Sequence, residues 1–388
     1  MQLTIVSYWV YQLTKDPLSL GLIGLAEVIP AIICSFFSGH FVDQSEKRNL
    51  LLLCNVSYLF LSGAFMLLSS EVSLNYLGTS LTLWGVYSCV FIGGVIRAFL
   101  GPSSFSMIGL LVPRKLYPNA TTWTGLAWQI GVVCGPLLGG FIISWLNYTL
   151  SLSCVWLLQF IALFFMLSIP RQPILKKEKE PIFKSLLEGI RFVFKTEIIL
   201  AVLALDMFAV LFGGPEALLP VFADDILQVG EVGYGWLRAA PGIGAISTLL
   251  LLSWVPIKTK AGIKMLVCVA GFGLSTIIFG FSDIFLLSFM MLWMGGMFDA
   301  VSVVIRGTIL QMHTPDAMRG RVAAVNTMFI SSSNELGALE SGVAARFLGA
   351  VPAVIMGGCI TLLVVWITYI KAPILKKVNF TNTPKKES

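Results

Sequence analysis

The chain of 388 residues is 57% hydrophobic and 12% charged, whereas soluble proteins carry about 25% charged residues. A soluble core cannot absorb so much apolar surface, so the composition excludes an ordinary soluble protein and indicates a polytopic membrane protein. The net charge of +6 does not indicate nucleic-acid binding, because its location in loops between apolar runs explains it.

Apolar runs long enough to cross a membrane follow one another along the chain. They predict eleven full transmembrane helices, near residues 18–42, 49–69, 81–111, 123–146, 150–170, 197–220, 232–255, 262–281, 284–311, 322–345 and 350–371. A further run at residues 1–13 is too short to cross, and it lacks the charged start and the cleavage site of a signal peptide. We interpret it as the second half of a first helix whose beginning is absent.

Basic residues distinguish the two sides of the membrane. When the short run is counted as the first span, most of the 26 Lys and Arg residues follow the even-numbered spans or lie in the tail. Cytoplasmic loops carry this excess, so we expect an inner (plasma) membrane protein whose complete form has both termini in the cytoplasm. The opposite side holds more acids than bases, among them Asp224, Asp225 and Glu231.

The longest basic loop divides the chain. Residues 181–195 within it have apolar residues at helical spacing, which predicts an amphipathic helix on the membrane surface. The predicted organisation is an N-terminal helix bundle, a cytoplasmic linker, a C-terminal helix bundle and a cytoplasmic tail, at residues 1–170, 171–196, 197–371 and 372–388.

The two predicted bundles show an internal repeat, a feature of many transporters. Aligned pairs are Gly24 and Gly235, Glu27 and Arg238, Pro30 and Pro241, Arg97 and Asp299, Pro113 and Pro315, Gly135 and Gly337, and Gly140 and Gly342. The pairs at Glu27 and Arg97 invert the charge, so opposite charges occupy equivalent depths. Charges at membrane depth are costly and must face protein or water. Chance similarity among apolar helices is the alternative.

The stretch 125–142 combines small residues with a proline. Its pattern is formed by Gly131, Gly135, Pro136, Gly139 and Gly140. Small residues let membrane helices approach closely, and neighbouring helices can compensate for a proline kink. The stretch is either a tightly packed span or a bending helix at an interface that opens and closes. Its spacing resembles the antiporter signature in the fifth helix of exporters of the major facilitator superfamily, and this resemblance favours the second interpretation.

A loop motif is formed by Gly39, Asp43, Lys47 and Arg48. It resembles the superfamily signature in which Asp follows Gly by four residues and a basic pair comes next. The resemblance implies that Gly39 allows close helix contact, that Asp43 holds the inner gate, and that Lys47 and Arg48 anchor the loop. The residues 44–46 depart from the usual pattern, and a polar turn with cytoplasmic lysines is the alternative.

Ionisable residues at predicted membrane depth are candidates for proton coupling or substrate binding. Arg97 begins an Arg-x-x-x-Gly element that resembles one implicated in proton coupling in the fourth helix of the superfamily. A buried Arg stays protonated, so it would act on a nearby carboxylate, or else form a structural ion pair. Asp206 is the leading proton site, because the resemblance places the seventh helix at the central cavity. The full candidate set is Asp206, Asp299, Glu27, Arg97, Arg238 and Glu335, with Glu216 and Glu340 as further acids at this depth.

The segment Arg319–Gly342, followed by Val351, Pro352 and Ala353, resembles the branch of the superfamily that contains an enterobactin exporter and macrolide-efflux carriers. The resemblance implies an all-α membrane protein with the major facilitator fold of two six-helix bundles. It also implies a secondary active transporter that exports a drug or siderophore-like compound by proton-coupled alternating access. We expect a monomer driven by the proton gradient, without cofactor, metal or nucleic-acid partner. The seven cysteines show no metal-binding spacing.

Two other functions stay open. One is proton-coupled uptake of a nutrient, against which the glycine-rich stretch 125–142 argues, and which accumulation of the substrate by energised cells would favour. The other is an inactive truncated membrane protein, suggested by the short run 1–13 and testable by searching the upstream DNA for an in-frame extension. An enzyme is disfavoured, because the sequence shows no catalytic cluster and no ATP-binding motif.

Overall fold

The computed structural model describes residues 1–113, 116–170, 182–255, 257, 259–315 and 318–380. In this part of the chain all regular secondary structure is helical. The first part of the predicted linker, residues 171–181, lies outside the described residues, and its remainder, 182–196, is described.

The first half of the chain forms six helices. They are α1 (Gln2–Thr14), α2 (Pro17–Gln44), α3 (Lys47–Leu68), α4 (Glu71–Leu111), α5 (Tyr117–Trp145) and α6 (Tyr148–Leu167). Short polar residues mark several starts, as expected for groups that accept hydrogen bonds from the free N–H groups of a first turn. The side chain of Asp16 accepts from Leu18, and that of Asn147 accepts from Leu150. The α4 helix is interrupted at Gly78, whose φ of 69° only glycine adopts readily.

The second half begins with the amphipathic helix α7 (Ile182–Lys195). It continues with α8 (Glu197–Gly213), α9 (Leu219–Val221), α10 (Gly230–Trp254), α11 (Ala261–Phe281), α12 (Phe285–His313), α13 (Arg319–Leu348), α14 (Ala350–Lys371) and α15 (Pro373–Lys376). A helix at α7 and long helices at the predicted runs agree with the sequence analysis.

One predicted span has a different form. The run at 197–220 was expected to be one helix, but α8 ends at Gly213 and short helical turns continue to Ile226. Gly214 has an extended conformation, because the proline that follows it disfavours the helical region for the preceding residue.

Among the described residues, ten helical segments are long and apolar enough to cross a membrane, and one of them is the run Glu197–Ile226 that contains α8 and α9. The α1 helix is too short at 13 residues, and α13 is long, at 30 residues, but richer in polar side chains. Many large apolar side chains are exposed, including Phe60, Trp145 and Phe164, which suits a surface in contact with lipid. The chain is a multi-pass helical membrane protein.

The chain divides into two compact units. The first consists of Met1–Phe183 with Ala223–Ala239, and the second of Lys184–Phe222 with Ala240–Ser388. In the first unit α2 packs along α4, α3 packs between α4 and α6, and α1 packs against α5.

The second unit has an apolar core between α8, α11, α12 and α13. Val202, Met265, Ile309 and Val325 are buried in it. Short segments outside the long helices also contribute, because Val193 of α7 and Leu375 of α15 are fully buried in the same core.

Candidate functional site

A buried ion pair joins two helices of the second unit. The carboxylate of Asp206, in the middle of α8, contacts the guanidinium of Arg306 in α12. The two side chains are only 8% and 5% exposed. Removing two charges from water is costly, and a pair in an apolar region persists only when the charges meet each other or other polar groups. This contact lies among the apolar side chains that form the core of the unit.

A second ion pair lies in the first unit. Arg97 of α4 donates to Glu27 of α2, with 2.5 Å between Nη1 and Oε1. The Arg97 side chain is 45% exposed and that of Glu27 is 16% exposed, so this pair is more accessible than the first. The sequence singled out both residues separately and gave a structural ion pair as one role for Arg97.

The remaining candidate residues are placed as follows. Asp299 is partly buried in α12, two turns before Arg306, and no hydrogen bond or ion pair to it is found in the described part of the chain. Arg238 is partly buried in α10 and belongs to the first unit, whereas Glu335 is partly buried in α13 of the second. The structure therefore brings together Asp206 with Arg306 and Glu27 with Arg97, and it does not group all six candidates.

The small residues of α5 lie against α1 and against the beginning of α10, which belongs to the first unit up to Ala239. A methyl group at Gly140 would lie 2.9 Å from the Cα of Gly235 in α10, and one at Gly235 would lie 2.9 Å from the carbonyl oxygen of Pro136. Such distances are shorter than real side-chain contacts, so only glycine fits at both positions. These two glycines allow the backbones of α5 and α10 to approach each other closely.

The other glycines of the motif divide into two groups. At Gly135 an added methyl would lie 3.0 Å from the backbone nitrogen of Met1, and at Gly139 it would lie 3.6 Å from the side chain of Thr4, so both face α1. At Gly131 no atom from elsewhere in the described part of the chain lies within 4 Å of an added methyl. Within one motif, therefore, α5 contacts α1 on one side and α10 on the other, and Gly131 is left in open space.

The basic pair of the loop motif anchors helix ends. Lys47 is buried at the start of α3, and its amine donates to the carbonyl oxygens of Val42 and Ser45 near the end of α2. Arg48 donates to the carbonyl oxygen of Leu167 at the end of α6, at 2.9 Å. A cation near the C-terminus of a helix also interacts favourably with the helix dipole. Gly39 and Asp43 lie within α2, but the surroundings of Gly39 and the side chain of Asp43 fall outside the described part of the structure.

Two partners were missed by the sequence analysis. Arg306 was not among the candidate residues of the sequence analysis. Gly235 was noted only as the repeat partner of Gly24. A usable signal existed for Arg306, since a charge in an apolar helix requires an opposite charge and Asp206 lies in another apolar run of the same predicted bundle.

Known proteins support this architecture. The profile of the family described as "Transmembrane secretion effector" matches residues 1–386. The enterobactin exporter EntS of Escherichia coli O1:K1 / APEC is 27% identical over 313 residues, which cover 78% of this chain and 71% of that protein. EntS of Shigella boydii serotype 18 is similar to the same extent.

Solved structures agree in fold at lower sequence identity. A D-xylose–proton symporter has a TM-score of 0.72 at 16% identity, covering 97% of this chain and 95% of its own. The nucleoside transporter NupG has a TM-score of 0.68 at 15% identity, covering 95% and 94%. These likenesses show the fold.

Proposed function

Because the chain belongs to the transmembrane secretion effector family, within the major facilitator superfamily, we propose that it exports a small amphipathic compound by proton-coupled alternating access. Proteins of this superfamily are transporters and not enzymes. The chain is a secondary transporter with a small-molecule substrate, embedded in a lipid bilayer. Its specific cargo, the direction of transport and the use of protons are the parts that we propose.

The proposed direction is export of a drug or a siderophore-like molecule. It is supported by the similarity over 313 residues to proteins named enterobactin exporter. It is also supported by α5, whose resemblance to an exporter signature coincides with close contacts to α1 and α10. We further propose that the protein resides in the inner membrane as a monomer, with both ends of the complete chain in the cytoplasm.

The observation that carries proton coupling is the buried contact between Asp206 and Arg306. A carboxylate in an apolar environment is stable when it is paired with a cation, and it is stable when it is protonated. Arg stays charged in either case. We propose that Asp206 alternates between these two forms as α8 and α12 change their contact. The Asp206 carboxyl carries the proton, and contact with Arg306 stabilises its ionised form.

The other candidates have supporting roles in this proposal. Glu27 and Arg97 form a second exchangeable pair, and their greater exposure suits a route for protons or substrate to water. Asp299 is the alternative proton site, because its carboxylate lies on the same helix as Arg306. Arg238 and Glu335 are proposed to contribute to the polarity of the substrate pathway.

Inside-out membrane vesicles would test the proposal. A pH-sensitive dye is followed while a panel of drugs and siderophores is added to vesicles with an established proton gradient. We expect one class of compound to release protons in the wild-type protein and in D283N, which alters an exposed carboxylate at the end of α11. We expect no release in D206N.

Each other outcome has a distinct meaning. If proton release persists in D206N but is lost in D299N or in E27Q, the acid whose substitution abolishes release is the proton site. Substrate movement into the vesicles without proton release would retain export and reject proton coupling. Accumulation of the compound by intact energised cells would reject export in favour of uptake.

A further inference from the structure

Ser302 of α12 is a buried serine whose hydroxyl has no partner. The residue is 2% exposed, and in the described part of the structure its Oγ makes no hydrogen bond. Other helical hydroxyls of the second unit bond the carbonyl oxygen one turn earlier. Ser275 donates to Gly271 and Thr308 donates to Val304, each at 2.8 Å. A buried hydroxyl without a partner is costly, so the position of Ser302 calls for an explanation.

Ser302 lies at the same depth as Asp206. The ring of Phe272 in α11 lies against both α8 and α12, since methyl groups added at Gly213 and Gly295 would lie 2.9 and 3.6 Å from it. These two glycines therefore mark one level. Asp206 lies seven residues before Gly213, and Ser302 lies seven residues after Gly295. Because α8 and α12 run in opposite directions, both residues are displaced from that level by about 10 Å toward the same side.

The side chain of Arg306 extends toward the same level. Arg306 lies four residues after Ser302, and residues four apart are neighbours on one face of a helix. Long helical side chains lean toward the preceding turn, so the guanidinium extends over Ser302 to contact Asp206. These positions put the Ser302 hydroxyl at the level where the carboxylate and the guanidinium meet, and it bonds neither of them in the ion-paired state.

The two forms of Asp206 need different partners. An ionised carboxylate only accepts hydrogen bonds, and the guanidinium of Arg306 donates to it. A protonated carboxyl has an O–H group that needs an acceptor, and an Arg side chain offers none. A serine hydroxyl carries two lone pairs and can accept this hydrogen bond. Ser302 therefore has the one property that the protonated form requires and that Arg306 lacks.

We propose that Ser302 is the hydrogen-bond partner of the protonated Asp206 carboxyl and takes the place of Arg306 when the ion pair opens. A proton from water binds one carboxylate oxygen of Asp206, and the new O–H donates to Oγ of Ser302. No other covalent bond forms or breaks, and the proton returns to water when the ion pair forms again. This inference rests on the proposed role of Asp206 in proton coupling.

The substitution S302A tests the role of the hydroxyl. In the ion-paired state it deletes a buried polar atom that has no partner, so the unfolding temperature in detergent should stay unchanged or rise. The protonated form of Asp206 loses its acceptor, so the rate of proton release in the vesicle assay with the drug and siderophore panel should fall at least about fivefold. A purely structural role for Ser302 would not lower proton release while leaving stability intact.

Infrared spectroscopy observes the hydrogen bond itself and needs no substrate. Difference spectra between neutral and acidic pH are recorded on the purified full-length protein, and a carboxyl C=O band that is absent from D206N belongs to Asp206. A hydrogen bond lowers the wavenumber of this band, so we expect a shift to higher wavenumber in S302A. The variant S302T keeps the hydroxyl, and it should keep both the band position and proton release within about twofold of wild type.

The matched control is S275A in α11. Ser275 is also buried, at 4% exposure, but its hydroxyl already donates to the backbone. This substitution should leave the Asp206 band unshifted and proton release within about twofold of wild type. Equal effects in S275A and S302A would overturn the inference, because loss of any buried hydroxyl would then suffice.

The outcomes separate this inference from the proposed function. If wild-type vesicles release no protons, or if D206N retains every carboxyl band, the proposed coupling through Asp206 fails and the role of Ser302 fails with it. If D206N is inactive but S302A matches wild type in proton release and in band position, the coupling stands and the role of Ser302 is wrong. A lower unfolding temperature in S302A, or a band shift in S302T as large as in S302A, would also overturn it.

Discussion

Gly140 of α5 and Gly235 of α10 face each other so closely that a methyl group on Gly140 would lie 2.9 Å from the Cα of Gly235. Each glycine therefore sets how near the two helices can come. Membrane helices gain no hydrophobic energy from association in lipid, so packing of this kind is a main source of their attraction.

We expect the substitution G140A to disrupt this contact, since neither backbone can yield without moving a helix. Overpacking of a close contact costs about 1–3 kcal/mol, so the unfolding temperature in detergent should fall and transport should be impaired. The matched control is G131A in the same helix, where an added methyl meets no other part of the described structure within 4 Å. It should be neutral or raise stability by up to about 1 kcal/mol, because alanine favours helix. Similar losses of stability and transport in both variants would contradict the interpretation that Gly140 is required for the close contact.

A second prediction separates stability from proton coupling at Asp206 and Arg306. Removing one partner of a buried pair costs about 3–5 kcal/mol, because the other charge is left uncompensated. We therefore expect D206N to lower the unfolding temperature in detergent, and the double variant D206N/R306Q to recover most of the loss. Proton release in vesicles should be absent from both variants.

The double variant makes the experiment informative. If the ion pair were purely structural, replacing both charges would restore proton release together with stability. Recovery of substrate-induced proton release in D206N/R306Q would therefore exclude Asp206 as the proton carrier, whatever the single variant shows.

The sequence predicted the helices well because apolar length is a local property. The runs at 49–69, 262–281 and 350–371 correspond to α3, α11 and α14. The end of α8 at Gly213 was missed, although Gly213, Gly214 and Pro215 form a recognisable helix-breaking sequence.

The pairing of charges was less accessible to sequence analysis. Hydropathy gives the depth of a residue in the membrane but not the direction in which its side chain points. Asp206 and Arg306 were each visible as costly charges, yet only the packing of α8 against α12 shows that they meet. Likewise the α5 glycines indicated close packing, but Gly235 as their partner depends on the path of α10.

A third prediction ranks two contacts between the end of α1 and the turn before α10, where the hydroxyl of Tyr11 donates to Asp225 and the amine of Lys15 forms an ion pair with Asp224. We expect Y11F, which keeps the ring and removes the hydroxyl, to increase amide hydrogen exchange about tenfold in residues 8–14 and 224–229. The exposed pair at Lys15 should matter less, so K15Q should increase exchange by less than about fivefold in the same segments. Exchange in α11 should be unchanged in both variants. A larger effect for K15Q than for Y11F would reverse the ranking.

A fourth prediction concerns the segment after α14, which caps the beginning of α11. The first N–H groups of a helix have no partner within the helix. Here the carbonyl oxygen of Val378 accepts from the backbone N–H of Ala261 at 3.0 Å. The side-chain Oδ1 of Asn379 accepts from the backbone N–H of Lys260 at 2.6 Å. Leu375 is fully buried in the core of the second unit and anchors the segment.

Substitutions in this segment should act through the stability of the second unit. Loss of a capping side chain costs about 1 kcal/mol, so N379A should lower the unfolding temperature slightly. Loss of a buried leucine costs about 2–5 kcal/mol, so L375A should lower it markedly. A chain that stops after Lys371 should lose both contributions, whereas a chain that stops after Phe380 keeps every one of these contacts and should match the full-length protein. If the two shortened chains unfold at the same temperature, the segment 373–380 does not stabilise α11, and its contacts are incidental to the fold.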